Sequence, residues 1–266
     1  MSERQPGQNY YETADLAATY DDDCAGRRDL DFYLALARRL SPRTIVDIGS
    51  GTGLLASMLA VAGFDVIAVE PQTTMLKIAA RQPHANQVTW LHGGASNLSP
   101  RCADLVFMTG HVAQYFLDDT AWRDVLAAIR RALLPGGHLA FEVRNQAMEG
   151  WRQWATSERR PISRGTIGQS VHQTDDLVTH VDEYLLDGNR WVTSETLRFP
   201  SWQCVTDGLQ AENFRLLDTW GDWEGTPVTD LSPEWIFLAS DNQLRVSTED
   251  PLRASSASHA KTPSTE

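Results

Sequence analysis

A glycine-rich segment that follows an apolar run is the part of the sequence with the clearest potential for chemistry. Gly49, Gly51 and Gly53 alternate with Ser50 and Thr52. Glycine permits a sharp turn, and it lets a ligand approach backbone amides without meeting a Cβ atom. A helix that begins at such a turn offers unpaired N–H groups and the positive end of its dipole. The segment therefore predicts a binding site for a small ligand.

The spacing of the glycines, together with two nearby acidic residues, indicates which class of ligand the turn binds. The dinucleotide fingerprint is G-x-G-x-x-G, whereas this chain reads G-x-G-x-G and has Leu54 at the last position of that fingerprint. Asp47 would repel a pyrophosphate but suits a ligand with an ammonium and a sulfonium group. Glu70 follows 23 residues after Asp47. A carboxylate there can accept hydrogen bonds from both hydroxyls of a ribose.

Apolar patterning around the turn alternates between the period of a strand and that of a helix. Short apolar runs separated by amphipathic stretches predict βαβ units, and hence a parallel sheet with helices on both faces. The predicted strands are 44–48, 65–69, 88–91, 103–108 and 138–143, and the predicted helices are 29–40, 53–62, a segment through 75–79, and one that begins at Thr120 and runs to Leu133.

The second half of the chain has a different pattern. Residues 177–186 and 190–199 predict a β-hairpin about Asp187-Gly188-Asn189. We expect a helix at 202–212 and a closing pair of strands at 214–220 and 235–239. The tail that follows is rich in Ser and Thr and has few large apolar residues, which is typical of disorder.

These residues resemble motif I and the acidic loop of the class I S-adenosylmethionine-dependent methyltransferases. Leu134-Pro135-Gly136-Gly137 is a further recurrent feature of that family, and the resemblance covers residues 29–145 well and 200–240 more loosely. It implies an α/β fold with a Rossmann-like, doubly wound, seven-stranded and mostly parallel sheet, an antiparallel final strand, and a β-hairpin lid inserted before the sixth strand. We predict an N-terminal helical cap (1–40), an S-adenosylmethionine-binding core (41–145), a lid and substrate insertion (146–203), the C-terminal part of the core sheet (204–240) and a disordered tail (241–266).

The resemblance implies a site for S-adenosylmethionine, with S-adenosylhomocysteine as the product. Asp47 and the backbone of the glycine turn would hold the methionine part, and Glu70 would hold the ribose. Gly94 stands where the family often has an acid that binds the adenine amine, so the Ala95 amide or the Ser96 hydroxyl would take part of that role. The predicted cofactor-binding residues are Tyr20, Asp47, Gly49, Ser50, Gly51, Glu70, Pro71, Met75, Gly94, Ala95, Ser96, Met108 and Thr109.

Two residues are candidates for the chemistry. The segment after the fourth strand faces the transferred methyl group in this fold, because ligands bind outside the carboxyl ends of parallel strands. His111 in that segment is the candidate general base; the alternative is that it contacts the cofactor or caps the loop. Arg144, after the fifth strand, is a candidate clamp for a substrate carboxylate, with a surface salt bridge as the alternative.

The substrate pocket is expected between the core and the lid hairpin, which carries His180, Tyr184 and Trp191. The loop at 220–227 is a second candidate wall. Seven of the nine tryptophans follow residue 145. They predict either an aromatic pocket for an apolar or planar substrate or a core inside a thin antiparallel lid.

Composition and net charge limit the classes of partner that the protein can have. The chain has 266 residues, 23 Lys plus Arg and 35 Asp plus Glu, for a net charge of −12. The acidic surplus disfavours nucleic acid as a partner, although a local basic patch stays open. Three widely spaced cysteines form no CxxC pair, which favours reduced thiols in the cytoplasm and no metal site. The N-terminus lacks the apolar core of a signal peptide, and no run approaches the ~18 apolar residues that span a bilayer. We therefore predict no membrane partner and leave a homodimer open.

Taken together, the sequence predicts an enzyme that methylates the O or N atom of a small molecule, in specialised metabolism. Three alternatives stay open. The fold can bind S-adenosylmethionine and carry out a cyclisation, decarboxylation or hydroxylation instead. It can also be a partner subunit without chemistry of its own. The third alternative is a nicotinamide oxidoreductase, against which both Leu54 and Asp47 argue.

Overall fold

The computed structural model describes residues 9–242. Residues 1–8 of the predicted cap and residues 243–266 of the predicted tail therefore lie outside the described residues. Within residues 9–242, no helix is both long enough and apolar enough to cross a membrane.

Helices and strands alternate through the first half of the chain, as the apolar pattern predicts. The α-helices are α1 (Ala14–Ala17), α2 (Tyr20–Asp23), α3 (Asp29–Leu40), α4 (Leu54–Val61), α5 (Thr73–Ala79), α6 (Asp119–Ala132) and α7 (Trp202–Ala211). The strands are β1 (Thr44–Ile48), β2 (Asp65–Glu70), β3 (Val88–His92), β4 (Ala103–Met108), β5 (Leu133–Arg144), β6 (Arg160–Ile162), β7 (Gly165–Thr174), β8 (Leu177–Leu186), β9 (Asn189–Arg198), β10 (Phe214–Trp220) and β11 (Glu234–Asp241). Short 3-10 helices include Tyr10–Glu12, Ala95–Asn97 and Val112–Tyr115.

The main sheet has seven strands in the order β10-β11-β5-β4-β1-β2-β3. Strands β1 to β5 are parallel, and β11 is antiparallel to both β5 and β10. The predicted Rossmann-like sheet with an antiparallel final strand is thus confirmed. Strand order reverses between β1 and β4, and the carboxyl ends of these strands open a crevice where ligands bind in open α/β sheets.

Side chains along the central strands point alternately to the two faces of the main sheet, which explains why helices cover both faces. Ile45 and Leu105 pack in one core with residues of α3 and α4, such as Tyr33. Val46 and Val106 point to the opposite core, which α6 and α7 cover. Because successive side chains of a strand face opposite sides, a wholly apolar strand needs a helical layer on each.

Strand β5 begins five residues earlier than predicted. Leu133 pairs with Ala103, and the register then shifts so that His138 pairs with Leu105. The residues Pro135-Gly136-Gly137, which look like a break in the sequence, form an irregularity inside the strand.

The predicted hairpin forms, but it belongs to a larger sheet than the sequence indicates. Strands β8 and β9 are joined by Asp187-Gly188, both with positive φ, as a two-residue hairpin turn requires. Strands β6 and β7 were not predicted; they complete an antiparallel sheet in the order β6-β7-β8-β9, the lid sheet. The segment of β7 is mostly polar and contains two glycines, so its composition does not favour a strand.

The N-terminal segment packs against the lid sheet as well as the core. Leu16 of α1 is fully buried, in a cluster with Ile167, Tyr184 and Trp191 of the lid sheet. Asp23 of α2 accepts a hydrogen bond from the backbone N–H of Ser163 at 3.0 Å. These contacts hold the lid sheet over the carboxyl edge of the main sheet.

Two glycines of β7 allow a matched test of how the lid sheet is built. A Cβ atom at Gly165 would overlap the backbone carbonyl of Leu185 in β8, whereas a Cβ at Gly168 would make ordinary contacts with Arg159. We expect Gly165→Ala to lower the free energy of unfolding by about 1–3 kcal/mol and Gly168→Ala to leave it nearly unchanged, measured by chemical denaturation. Equal stability of the two variants would contradict the pairing of β7 with β8.

Candidate active site

A cavity of about 930 Å³ lies between the carboxyl ends of the central strands and the lid sheet. Its floor includes Asp47 near the end of β1, Glu70 at the end of β2 and Thr109 just after β4, and its far wall includes His180 of the lid sheet. Every predicted cofactor-binding residue lines it except Met108, which is fully buried in the core. The predicted residues on the cavity wall are Tyr20, Asp47, Gly49, Ser50, Gly51, Glu70, Pro71, Met75, Gly94, Ala95, Ser96 and Thr109.

Asp47 is the most unusual group in the cavity. Its side chain is 1% exposed, and neither carboxylate oxygen has a hydrogen-bond partner within the described chain. Burial raises the pKa of Asp47 to about 7, although the positive charge of Arg27 acts in the opposite direction. A buried carboxylate without donors is costly, and a ligand that brings an ammonium group to it would remove that cost. The site therefore fits the cationic amino group of S-adenosylmethionine.

The glycines of the turn do different work. Gly49 and Gly53 have positive φ angles of 70° and 79°, and a Cβ on either would overlap Val112 or Trp90. Gly51, at φ 57°, would meet only the Met75 methyl at 3.7 Å. Gly49 and Gly53 therefore allow the chain to pack. Gly51 instead leaves open space on the cavity wall that a ligand can occupy.

Glu70 ties the glycine turn to the next loop. One carboxylate oxygen accepts from the backbone N–H of Gly51 and the other from that of Gln72, both at 2.8 Å. Burial raises the pKa of Glu70, and these two hydrogen bonds lower it. Each oxygen keeps a second lone pair, so the carboxylate can still accept from a ligand. Its predicted contact with the ribose stays a prediction.

Arg27 lines the cavity and was not predicted from the sequence. Its guanidinium forms an ion pair with Asp29 and lies beside Gly110 at the end of β4. Burial alone would lower the pKa of Arg27, but Asp29 outweighs burial and raises it above its ordinary value. The sequence gives no signal for this role, because a basic residue just before a helix is commonplace.

His111 is not on the cavity wall. Its backbone N–H donates to Glu142 at 2.6 Å, and its ring Nε2 lies 2.9 Å from the Glu234 carboxylate on β11. Burial, with the nearby charge of Arg144, lowers the pKa of His111 to about 3, so the ring is neutral, and burial raises the pKa of its partner Glu234 to about 7. The base role of His111 stays a prediction, and these contacts favour the alternative that it holds the loop after β4.

Arg144 is also not on the cavity wall. Its guanidinium donates to the Gln114 side-chain oxygen at 2.9 Å and lies over the Trp154 ring at 5.2 Å. Burial lowers the pKa of Arg144. The predicted clamp on a substrate carboxylate stays a prediction, and the observed partners are neutral side chains rather than the acid expected for a surface salt bridge.

Tyrosines, not tryptophans, line the cavity. Trp151 and Trp154 pack on Phe199, and Trp220 of the second candidate wall packs on Phe32 of α3. The tryptophans are thus core residues of the lid and the main sheet. Cavity residues that were not predicted from the sequence include Tyr10, Tyr11, Tyr115, Asp182 and Glu195. No local pattern shows that Tyr10 and Tyr11 face the lid sheet.

Comparisons with known proteins agree with this geometry. Residues 45–137 match a family model described as a methyltransferase domain. The chain is 24% identical over 241 residues to a glycine/sarcosine N-methyltransferase of Halorhodospira halochloris, with 85% of each chain covered. It is 34% identical over 168 residues to a bifunctional biotin biosynthesis protein, BioHC, of Cellvibrio japonicus; the match covers 59% of this chain and 32% of that protein, so the chain spans about a third of its length.

A solved structure supports the fold. The chain superimposes on an S-adenosylmethionine-dependent methyltransferase from Clostridium acetobutylicum with a TM-score of 0.74, at 18% identity, over 85% of this chain and 97% of the other.

The unpaired carboxylate of Asp47 gives a test of ligand binding. We expect Asp47→Asn to weaken the binding of S-adenosylhomocysteine by about tenfold or more, because a charge-assisted hydrogen bond is worth about 1.5–3 kcal/mol. Isothermal titration calorimetry measures the change. Asp65→Asn is the control, since Asp65 is exposed at the opposite edge of the sheet. Unchanged affinity in Asp47→Asn would contradict the assignment.

The same group predicts how stability depends on pH. In the unfolded chain the carboxyl of Asp47 loses its proton near its ordinary pKa of 3.8, whereas the folded protein keeps it until about pH 7. The folded state therefore binds more protons between these values, and its stability falls as pH rises. We expect the ligand-free protein to lose free energy of unfolding from pH 5 to pH 8 and Asp47→Asn to lose less, measured by urea titration. Equal slopes would show that Asp47 has an ordinary pKa.

Proposed function

The chain belongs to the class I S-adenosylmethionine-dependent methyltransferases, and we propose that it transfers the methyl group to an oxygen or nitrogen atom of a small molecule. The cavity carries this proposal. Its volume of about 930 Å³ lies in the range of pockets that bind small ligands, roughly 300–1,000 Å³. Part of that space remains for an acceptor beside the residues assigned to the cofactor.

The walls of the cavity favour a small acceptor over a polymer. The N-terminal segment is tied to the lid sheet through Asp23 and Leu16. The loop after β4 is tied to it by the Gln114 side chain, which donates to the carbonyl of Arg198 at 2.7 Å. These contacts close the cavity on two sides. The net charge of −12 also disfavours a polyanionic substrate.

Bound S-adenosylmethionine would supply an electrophilic methyl carbon, so the protein's task is to position and align the reactants. Asp47 would hold the amino group, Glu70 the ribose, and the backbone at Gly51 would pass close to the cofactor. Arg27 would place a positive charge near the carboxylate of the methionine part. The lid sheet would position the acceptor and exclude water.

The N-methyltransferase from Halorhodospira halochloris supports this proposal, because its name gives a small-molecule acceptor and it matches this chain over 85% of both lengths. The identity of the acceptor and a place in specialised metabolism stay predictions, as does the cytoplasmic location.

The proposal is tested with methyl-labelled S-adenosylmethionine and a cell extract divided into small molecules, nucleic acids and proteins. We expect label in the small-molecule fraction and a product whose mass rises by one CH₂ group. With the cofactor below saturation, Asp47→Asn should label much less, and Asp65→Asn should label as the unaltered chain does. Label confined to macromolecules would refute the proposal. A product with another mass change would favour cyclisation, decarboxylation or hydroxylation.

A further inference from the structure

We infer that the acceptor is a small amine, recognised in its ammonium form by a cluster of tyrosines and the carboxylate of Glu195 on the lid side of the cavity. This inference rests on the proposed methyl transfer and specifies its substrate class.

Five of the six tyrosines in the chain meet at the cavity and form what we call the tyrosine cluster. The ring of Tyr10 lies 5.3 Å from Tyr11, 6.3 Å from Tyr20 and 5.6 Å from Tyr184. Tyr11 also lies 6.1 Å from Tyr20 and 6.4 Å from Tyr115. The five residues come from the N-terminal segment, the loop after β4 and the lid sheet, so only the folded chain brings them together.

Hydrogen bonds within and around the tyrosine cluster fix the rings. The hydroxyls of Tyr11 and Tyr115 lie 2.7 Å apart, and that of Tyr10 lies 3.3 Å from the Thr19 hydroxyl. Tyr184 donates to Asp182. These hydrogen bonds hold the rings in place on the cavity wall. Aromatic rings arranged around a cavity recognise ammonium groups through cation–π attraction.

The tyrosines are neutral phenols rather than phenolate anions, so they offer a ligand aromatic surface and no negative charge. Burial raises the pKa of every member above the ordinary value for tyrosine, and for Tyr20 to about 12. The carboxylate of Glu195 adds to the effect of burial on Tyr115. The negative charge on this side of the cavity therefore comes from carboxylates.

A histidine and two carboxylates on the cavity wall form a group with a net negative charge. His180 Nδ1 lies 3.0 Å from Asp182, and its Nε2 lies 3.3 Å from Glu195. Burial alone would lower the pKa of His180, but these two partners outweigh it and raise the pKa to about 9. The protonated ring neutralises one carboxylate, and one negative charge remains. Such a wall attracts a cation and repels a carboxylate acceptor.

The other cations of the cavity do not cancel this charge. Arg27 is paired with Asp29. Arg160 is exposed, and its guanidinium donates to the neutral Gln169 side chain at 3.3 Å, so it keeps its positive charge. Asp23 is a further acid on the wall and offsets that charge. The lid side of the cavity therefore suits a cationic group with apolar surface around it.

The nitrogen must lose a proton before it can accept a methyl group, because an ammonium has no lone pair. The Glu195 carboxylate, on the cavity wall and partly exposed, can take that proton. The free lone pair of the amine then forms the new N–C bond while the C–S bond of the cofactor breaks and its electron pair stays on sulfur. The methylated nitrogen carries the positive charge of the product.

Binding of a cation and its neutral isostere tests the inference without turnover. Choline and 3,3-dimethylbutan-1-ol have the same shape and differ in charge. We expect choline to bind the full chain, saturated with S-adenosylhomocysteine, about tenfold more tightly than the alcohol, as titrated by NMR at fixed ionic strength. Equal affinities, or no binding of choline at millimolar concentration, would overturn the inference.

Variants separate the ring from the charge. We expect Tyr115→Leu to weaken choline binding about threefold to tenfold and Tyr115→Phe to change it less than about twofold, since the ring is kept. Glu195→Gln should weaken choline about tenfold and leave the alcohol unaffected. Glu158→Gln removes the same charge from an exposed residue outside the cavity wall and should change neither. An unchanged preference for choline in Glu195→Gln would remove Glu195 from the inference.

The failure of this inference can be told from the failure of the proposed function. Asp47-dependent labelling of an alcohol or a carboxylic acid, with no preference for choline, would retain small-molecule methyl transfer and reject the amine. Label in macromolecules alone would reject the proposed function itself.

Discussion

The buried, unpaired carboxylate of Asp47 is the constraint around which the site is organised. It lies next to the last residue of the central strand β1, where strand order reverses and the carboxyl edge of the sheet opens. Nothing in the described part of the protein satisfies its oxygens, so the fold carries a cost that a cationic ligand would remove. The neighbouring features follow from that position. The glycine turn exposes backbone next to Asp47, and Glu70 holds that turn in place. The positive charge of Arg27 partly offsets the negative charge of Asp47.

The lid sheet and the N-terminal segment turn this edge into a closed cavity with two unlike halves. The half near the main sheet has glycines, backbone amides and two buried acids. The half near the lid sheet has tyrosine rings and the His180–Asp182–Glu195 group. Both halves favour positive charge, which suits a sulfonium cofactor on one side and an amine on the other. Distant segments of the chain meet at this cavity, so only the folded protein forms it.

Sequence reasoning succeeded where the pattern is local. Apolar periodicity predicted strands β1 to β5, because buried parallel strands are nearly continuous apolar runs, and the glycine turn with Asp47 and Glu70 indicated the cofactor. It was less informative where partners come from distant segments. The contacts of His111 with Glu234 and of Arg144 with Gln114 have no local signal in the sequence, and the roles of both residues stay predictions. Strand β7 was not predicted, because its polar, glycine-containing sequence does not favour a strand. It forms because it pairs with β8.

The pKa of the Asp47 carboxyl, followed by carbon NMR with and without S-adenosylhomocysteine, tests the central claim most directly. We expect a pKa of about 7 in the free protein and a fall well below that value in the complex, because an ammonium beside the carboxylate favours its ionised form. Asp47 would then be the group whose buried charge the ligand neutralises. An ordinary pKa in the free protein, or a raised pKa that does not change when the ligand binds, would contradict this account.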